Sequence, residues 1–188
     1  GERDRIATIV QEITAEKNEP VYLQAAQAAI HDDRNRLRIT PAHYAYLRVS
    51  EGCNRNCTFC TIPSIRGQLV SKPLETVVDE ARELVASGAK ELILIAQDTI
   101  FYGRDIGLKN GLVQLLKQLE EVDGLEWIRV MYLYPASVDD PFIECLAAGE
   151  KIVHYIDMPV QHINDTCSFH YRLLGPVHWS SVLQQRHE

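Results

Sequence analysis

Residues 91–96, Glu-Leu-Ile-Leu-Ile-Ala, constrain this chain most. A continuous apolar run of strand length, bounded by Gly88 and by the polar Gln97, Asp98 and Thr99, is what a parallel strand covered on both faces requires. Upstream, Leu74, Val77, Val78, Ala81, Leu84 and Val85 recur at the 3.6-residue period, after Ser71-Lys72-Pro73 and before Gly88. Downstream, Leu112, Leu115, Leu116, Leu119 and Val122 repeat that stripe after a loop marked by Gly103, Gly107 and Gly111. Residues 44–50, 127–134 and 151–158 read as three further strands. A helix over 139–148 takes Ser137 as its candidate cap and Pro141 in its first turn. The order βαβαβαβ predicts an α/β fold: a parallel sheet with right-handed crossovers and helices outside.

In such folds the chemistry gathers where the carboxyl ends of the strands open. The second strand ends at Gln97-Asp98, the third at Tyr134-Pro135 and the fourth at Gln161-His162. The first ends at residues 50–67, where Cys53, Cys57 and Cys60 stand in C-x3-C-x2-C spacing with Phe59 before the last thiol. Gly52 and Gly67 give the loop freedom to bring three thiolates to one centre. An iron–sulfur cube normally takes one thiolate per iron, so three leave one iron without a protein ligand. An open metal position is where a small molecule binds and is activated. Radical chemistry from S-adenosylmethionine (SAM) is one chemistry hosted this way. A redox Cys-x2-Cys pair or half a zinc site are the alternatives. The first leaves Cys53 unused, and the second lacks a fourth ligand nearby, with Cys145 and Cys167 too distant to complete a four-cysteine run.

Composition narrows the class. The net charge is −7, from 19 Lys and Arg against 26 Asp and Glu, and a domain that grips phosphates carries a basic face. The densest basic run, residues 31–38 with Arg34, Arg36 and Arg38, is diluted by Asp32 and Asp33 and reads as a solvated linker. Nucleic acid is therefore not an expected partner. No stretch approaches the roughly 18 apolar residues a membrane span needs. Five cysteines, an odd number with three clustered, fit a reducing cytoplasmic compartment better than a disulfide scaffold. The start, Gly-Glu-Arg-Asp-Arg, is polar and lacks an initiator Met, as an excised piece would. Residues 1–43 read as a lead-in, with a short amphipathic helix on Ile6, Ile9, Val10 and Ile13 that ends near 18–20. Residues 166–188 have no clean period. Cys167, His170 and His178 there could form a second metal site, but an irregular divergent tail is the reading preferred.

The loop with Phe59 resembles the signature of the radical SAM superfamily. Residues 46–67, residues 91–99 with Tyr102-Gly103, and residues 159–165 together resemble its methylthiotransferases. The nearer branch is the one that modifies an aspartate of a small-subunit ribosomal protein. Its tRNA-modifying sister differs after the third Cys and has Gly-Gln-Asn where this chain has Ala96-Gln97-Asp98. The resemblance covers roughly residues 1–165. It implies a 4Fe-4S cluster on Cys53, Cys57 and Cys60 that cleaves SAM reductively to a deoxyadenosyl radical. That radical takes a hydrogen from the aspartate β-carbon before a methylthio group is installed, and an electron-donor protein supplies the reductant. It also implies that Phe59 packs beside the adenine and that Gln97 and Gln161 contact SAM, although either glutamine serves equally as a strand cap. Arg66 answers the SAM carboxylate or forms a structural ion pair. On this reading residues 1–43 lead in from an absent N-terminal domain that holds a second cluster, residues 44–165 are the incomplete core, a partial parallel (βα) barrel of the radical SAM type truncated after about four strands, and the chain alone does not complete methylthiotransfer. A tRNA adenosine methylthiotransferase and a non-catalytic iron–sulfur or metal-binding module are the competing readings.

Overall fold

The computed structural model describes residues 6–15, 30–34, 36–162 and 164. In chain order its first elements are α1 (Ile6–Thr14), β1 (Tyr44–Arg48), β2 (Ser50–Glu51), α2 (Ile62–Arg66) and β3 (Val70–Ser71). Then come α3 (Leu74–Ala86), β4 (Glu91–Ile95), α4 (Gly111–Glu120), β5 (Trp127–Val130) and α5 (Asp140–Ala148). β1, β4 and β5 form a parallel sheet in that order, with Tyr44 opposite Glu91 and Glu91 opposite Trp127. The alternation of strand and helix thus folds as its periodicity requires. Leu92 and Leu94 are fully buried, while Ile93 and Ile95 are half-covered on the other face.

The two apolar stripes make the core. Val77, Val78 and Ala81 of α3 and Leu112, Leu115, Leu116 and Leu119 of α4 bury against the sheet, and α4 packs on both α3 and α5. Gly111 opens α4 where nothing larger fits, since a Cβ there would meet the Tyr102 carbonyl at 2.4 Å. The apolar residues Ile6, Val10 and Ile13 of α1 are exposed; this helix ends at Thr14, and residues 16–29 lie outside the described set. No helix among the described residues is long and apolar enough to cross a membrane.

Four local expectations need correction. The third strand stops at Val130, because Tyr132 takes a positive φ of 60° and Thr99 captures the exit. The Thr99 hydroxyl donates to the Met131 carbonyl at 2.6 Å and its N–H to the Tyr132 carbonyl at 3.1 Å. The fourth strand shrinks to one parallel bridge, Ile128 with Ile152. Just beyond it the Tyr155 N–H turns back to the Val153 carbonyl at 2.7 Å, and among residues 151–158 only Ile152 is buried. The described sheet therefore remains open. α5 is capped by Asp139, whose carboxylate accepts from the Phe142 N–H at 3.2 Å, and not by Ser137. The polar run 31–38 is docked rather than freely solvated. Arg38 donates to the Ser87 carbonyl at 3.0 Å and Arg36 to the Tyr46 carbonyl, while Asp33 accepts from Arg48 and Lys72 at 2.9 Å each.

Candidate metal centre at the cysteine loop

The cysteine loop is a closed excursion from the exit of β1. After Val49, whose N–H still pairs with Ile95 at 3.1 Å, the chain turns into an antiparallel ladder of β2 with β3. Ser50 faces Ser71 and Glu51 faces Val70, so the ends of residues 52–69 are clamped together. Gly52 makes the closure possible: its φ is +77°, and a Cβ would lie 2.1 Å from the Gln68 carbonyl oxygen. Two more bonds tie the base, from the Cys53 N–H to Gly67 at 3.1 Å and from the Leu69 N–H to the Asn54 side chain at 2.8 Å. α2 follows the third cysteine with Pro63 in its first turn.

The three thiols differ in exposure. Cys53 is buried and its sulfur accepts from the Arg55 N–H at 3.4 Å, whereas Cys57 and Cys60 are half-exposed and share a turn, the Cys60 N–H donating to Cys57 at 3.0 Å. Burial pushes the Cys53 thiol up, with the Asp98 charge adding and Arg55 opposing. Burial also raises Cys57, and the charge of Cys60 adds to it. Among the described residues no three His, Cys, Asp or Glu side chains stand close enough together to hold a metal ion as they are. Ligand convergence and local folding are commonly coupled, because thiolates that repel one another gather only around a cation. The donor set itself, three thiols on one clamped loop, fits a thiophilic centre.

The exits of β4 and β5 close around this loop. Asp98, the residue after the apolar run and Gln97, is almost fully buried, and its Oδ2 accepts from Arg55 Nε at 2.7 Å. Burial pushes the Asp98 carboxyl up, partly offset by Arg55. Tyr134, beyond β5, lies against the same guanidinium, and burial raises its phenol, the Cys57 charge adding. Two acceptors here are buried without a partner, Gln97 Oε1 and Asp98 Oδ1. Such an atom carries a desolvation penalty of about 1–3 kcal/mol, and a ligand with N–H or O–H donors would remove it.

The expected site residues separate into groups. Gln97, just past the exit of β4, keeps a buried Oε1 without a partner. Arg66 finds an ion-pair partner, donating to Glu51 Oε1 at 2.9 Å, with Glu51 2% exposed. Phe59 is 55% exposed on the loop, and Gln161 is exposed beyond the Ile152 bridge. Cys167, His170 and His178 lie outside the described residues. Reading the sequence put Asp98 and Tyr134 at strand exits and Ser137 at a helix start without giving them a part in the site, and it passed over Arg55. The available signal was a cation placed between two thiols and an acid two positions past an apolar run.

The Radical SAM superfamily model matches residues 47–184. The ribosomal protein uS12 methylthiotransferase RimO of Sulfurihydrogenibium sp. is 49% identical over 134 residues, covering 71% of this chain and 31% of that protein. Its counterparts from Thermoanaerobacter sp. and Clostridium tetani are 47% and 42% identical, covering 88% and 87% of this chain. They are covered over 38% and 36% of their own length, so the chain spans about a third of these relatives. Among solved structures, the radical S-adenosylmethionine methyltransferase TsrM from Kitasatospora setae aligns with a TM-score of 0.58 over 76% of this chain and 27% of its own, at 16% identity. A second TsrM structure, with cobalamin and a [4Fe-4S] cluster bound, gives 0.55 over 69% of this chain and 24% of its own, at 18% identity. At that identity the likeness concerns the fold. With the three-cysteine loop at the mouth of a parallel sheet and a family match over most of its length, the chain belongs to the radical SAM superfamily.

Proposed function

We propose that residues 44–165 form the SAM-cleaving core of a methylthiotransferase whose substrate is an aspartate of ribosomal protein uS12. The observation that carries the reading is the pairing of three thiols on one hairpin-clamped loop with two unpartnered acceptors at the next strand exit. Relatives named as uS12 methylthiotransferases, at 42–49% identity, favour this substrate. When bound, a 4Fe-4S cluster with SAM supplies reductive cleavage of a carbon–sulfur bond and hence a carbon radical.

The chain's own residues have distinct tasks in this reading. Cys53, Cys57 and Cys60 hold the cluster, and three ligands leave one iron for SAM. Gln97 Oε1 and Asp98 Oδ1 accept from the donors of SAM, which relieves both orphaned atoms. Phe59, exposed on the loop, covers the adenine, and Gln161 is a further contact from the rim. Arg66, held by Glu51, presents its remaining donors to the SAM carboxylate. A donor protein delivers the electron, and a chain whose cysteines cluster for metal suits a reducing cytoplasmic compartment. A second cluster belongs to the upstream domain that members of the resembled family carry.

A uS12 peptide deuterated at the aspartate β-carbon tests the substrate. With reduced, cluster-loaded protein and SAM, deuterium appears in the deoxyadenosine. Deoxyadenosine formed without deuterium would overturn the aspartate assignment and leave SAM cleavage standing.

A further inference from the structure

Arg55 sits between the first two thiols, yet nearly everything its side chain touches belongs to other parts of the chain. Its Nε donates to Asp98 at 2.7 Å and its Nη2 to the Ser137 hydroxyl at 2.5 Å. Its guanidinium carbon stands 3.7 Å from the centre of the Phe101 ring and 3.8 Å from that of Tyr134. Asp98 and Phe101 come from the exit of β4, Tyr134 and Ser137 from the exit of β5. The side chain is only 20% exposed. A planar cation that stacks on aromatic faces and donates in fixed directions is specific to arginine; a lysine ammonium keeps the charge and loses the fork. Its backbone N–H meanwhile reaches Cys53 Sγ at 3.4 Å, so the clamp and the first thiol share one residue.

We propose that Arg55 is the positioning residue of the thiol site: its stacked guanidinium pins the cysteine loop to the exits of β4 and β5 and so aims the three thiols at the rim. The proposal rests on the reading that these thiols hold the cluster, and it adds that the loop is oriented by the sheet exits as well as by its hairpin base. Phe101 already stacks with Arg104 at 4.0 Å, so that ring stays in place when Arg55 is replaced. The role depends on stacking and direction, so Arg55→Lys does not rescue it.

Hydrogen exchange on the full chain tests the clamp without any cluster. In Arg55→Lys and Arg55→Met, exchange at the amides of Cys53, Cys60 and Leu69 rises about tenfold, while Leu92 and Leu94 in the sheet exchange at the wild-type rate. After anaerobic reconstitution, both variants lose iron to a chelator about tenfold faster than wild type. Wild-type loop exchange in both variants would overturn the proposal. So would rescue by lysine, which would make charge alone sufficient, or acceleration in the sheet as large as in the loop, which would make Arg55 a general support of the fold. A wild-type chain that takes up no iron would remove the cluster reading while leaving the exchange result to judge the clamp.

Discussion

Lys72 lies where 1% of its side chain meets solvent, and its Nζ donates to Glu80 at 2.5 and 2.7 Å and to Asp33 at 2.9 Å. Asp33 also binds Arg48, Arg48 binds Glu51 at 2.8 Å, and Glu51 binds Arg66, so charges alternate from α3 to the cysteine loop. Removing one member of a buried pair strands the other. Lys72→Met, which leaves the 3%-exposed Glu80 uncompensated, is therefore expected to destabilise the fold by about 3–5 kcal/mol in urea unfolding; a loss under about 1 kcal/mol would contradict the ladder. Asp33 gives the pH signature. Burial pushes its carboxyl up, but the hydrogen bonds from Lys72 and Arg48 outweigh this and the net shift is downward. A depressed folded pKa stabilises above the unfolded value of about 4 and is lost as pH falls through the folded one. Stability should therefore drop below about pH 4, and Asp33→Asn should flatten that part of the profile. None of this was legible in Ser71-Lys72-Pro73, because the partners of Lys72 lie 8 and 39 residues away.

The hairpin of β2 and β3 is the element that turns a strand exit into a site. It is two residues long on each side, so its closure depends on the conformation of Gly52. Gly52→Ala adds a left-handed backbone penalty of about 1–2 kcal/mol and a clash with the Gln68 carbonyl. Iron uptake on reconstitution should fall at least about tenfold, the equivalent of 1.4 kcal/mol, while circular dichroism keeps the α/β signature. Asp139→Ala removes the α5 cap and should lower stability by about 1 kcal/mol in thermal unfolding without changing iron uptake. Helices α3 and α4 were legible because their stripes are local patterns of long period. Strand ends were not, because Tyr132 and Tyr155 turn the chain through contacts with Thr99 and Val153 that no alternation encodes.

At the scale of the molecule, three parallel strands bring a cysteine loop, an acid–amide pair and an aromatic exit to one mouth. The order of elements and the shared rim followed from the chain's own patterning. The hold of the rim on the loop did not, since Arg55 meets partners 43 and 82 residues away. Among the described residues the thiols do not yet meet as a ligand set, so on the proposed reading metal binding and loop closure are coupled. The direct test is iron and sulfide content with electron paramagnetic resonance after anaerobic reconstitution of the chain and its Cys57→Ala variant. The account predicts about four irons and four sulfides per chain, a reduced-cluster signal that shifts when SAM is added, and loss of both in the variant. A colourless protein holding a single zinc, or a cluster signal indifferent to SAM, would contradict it.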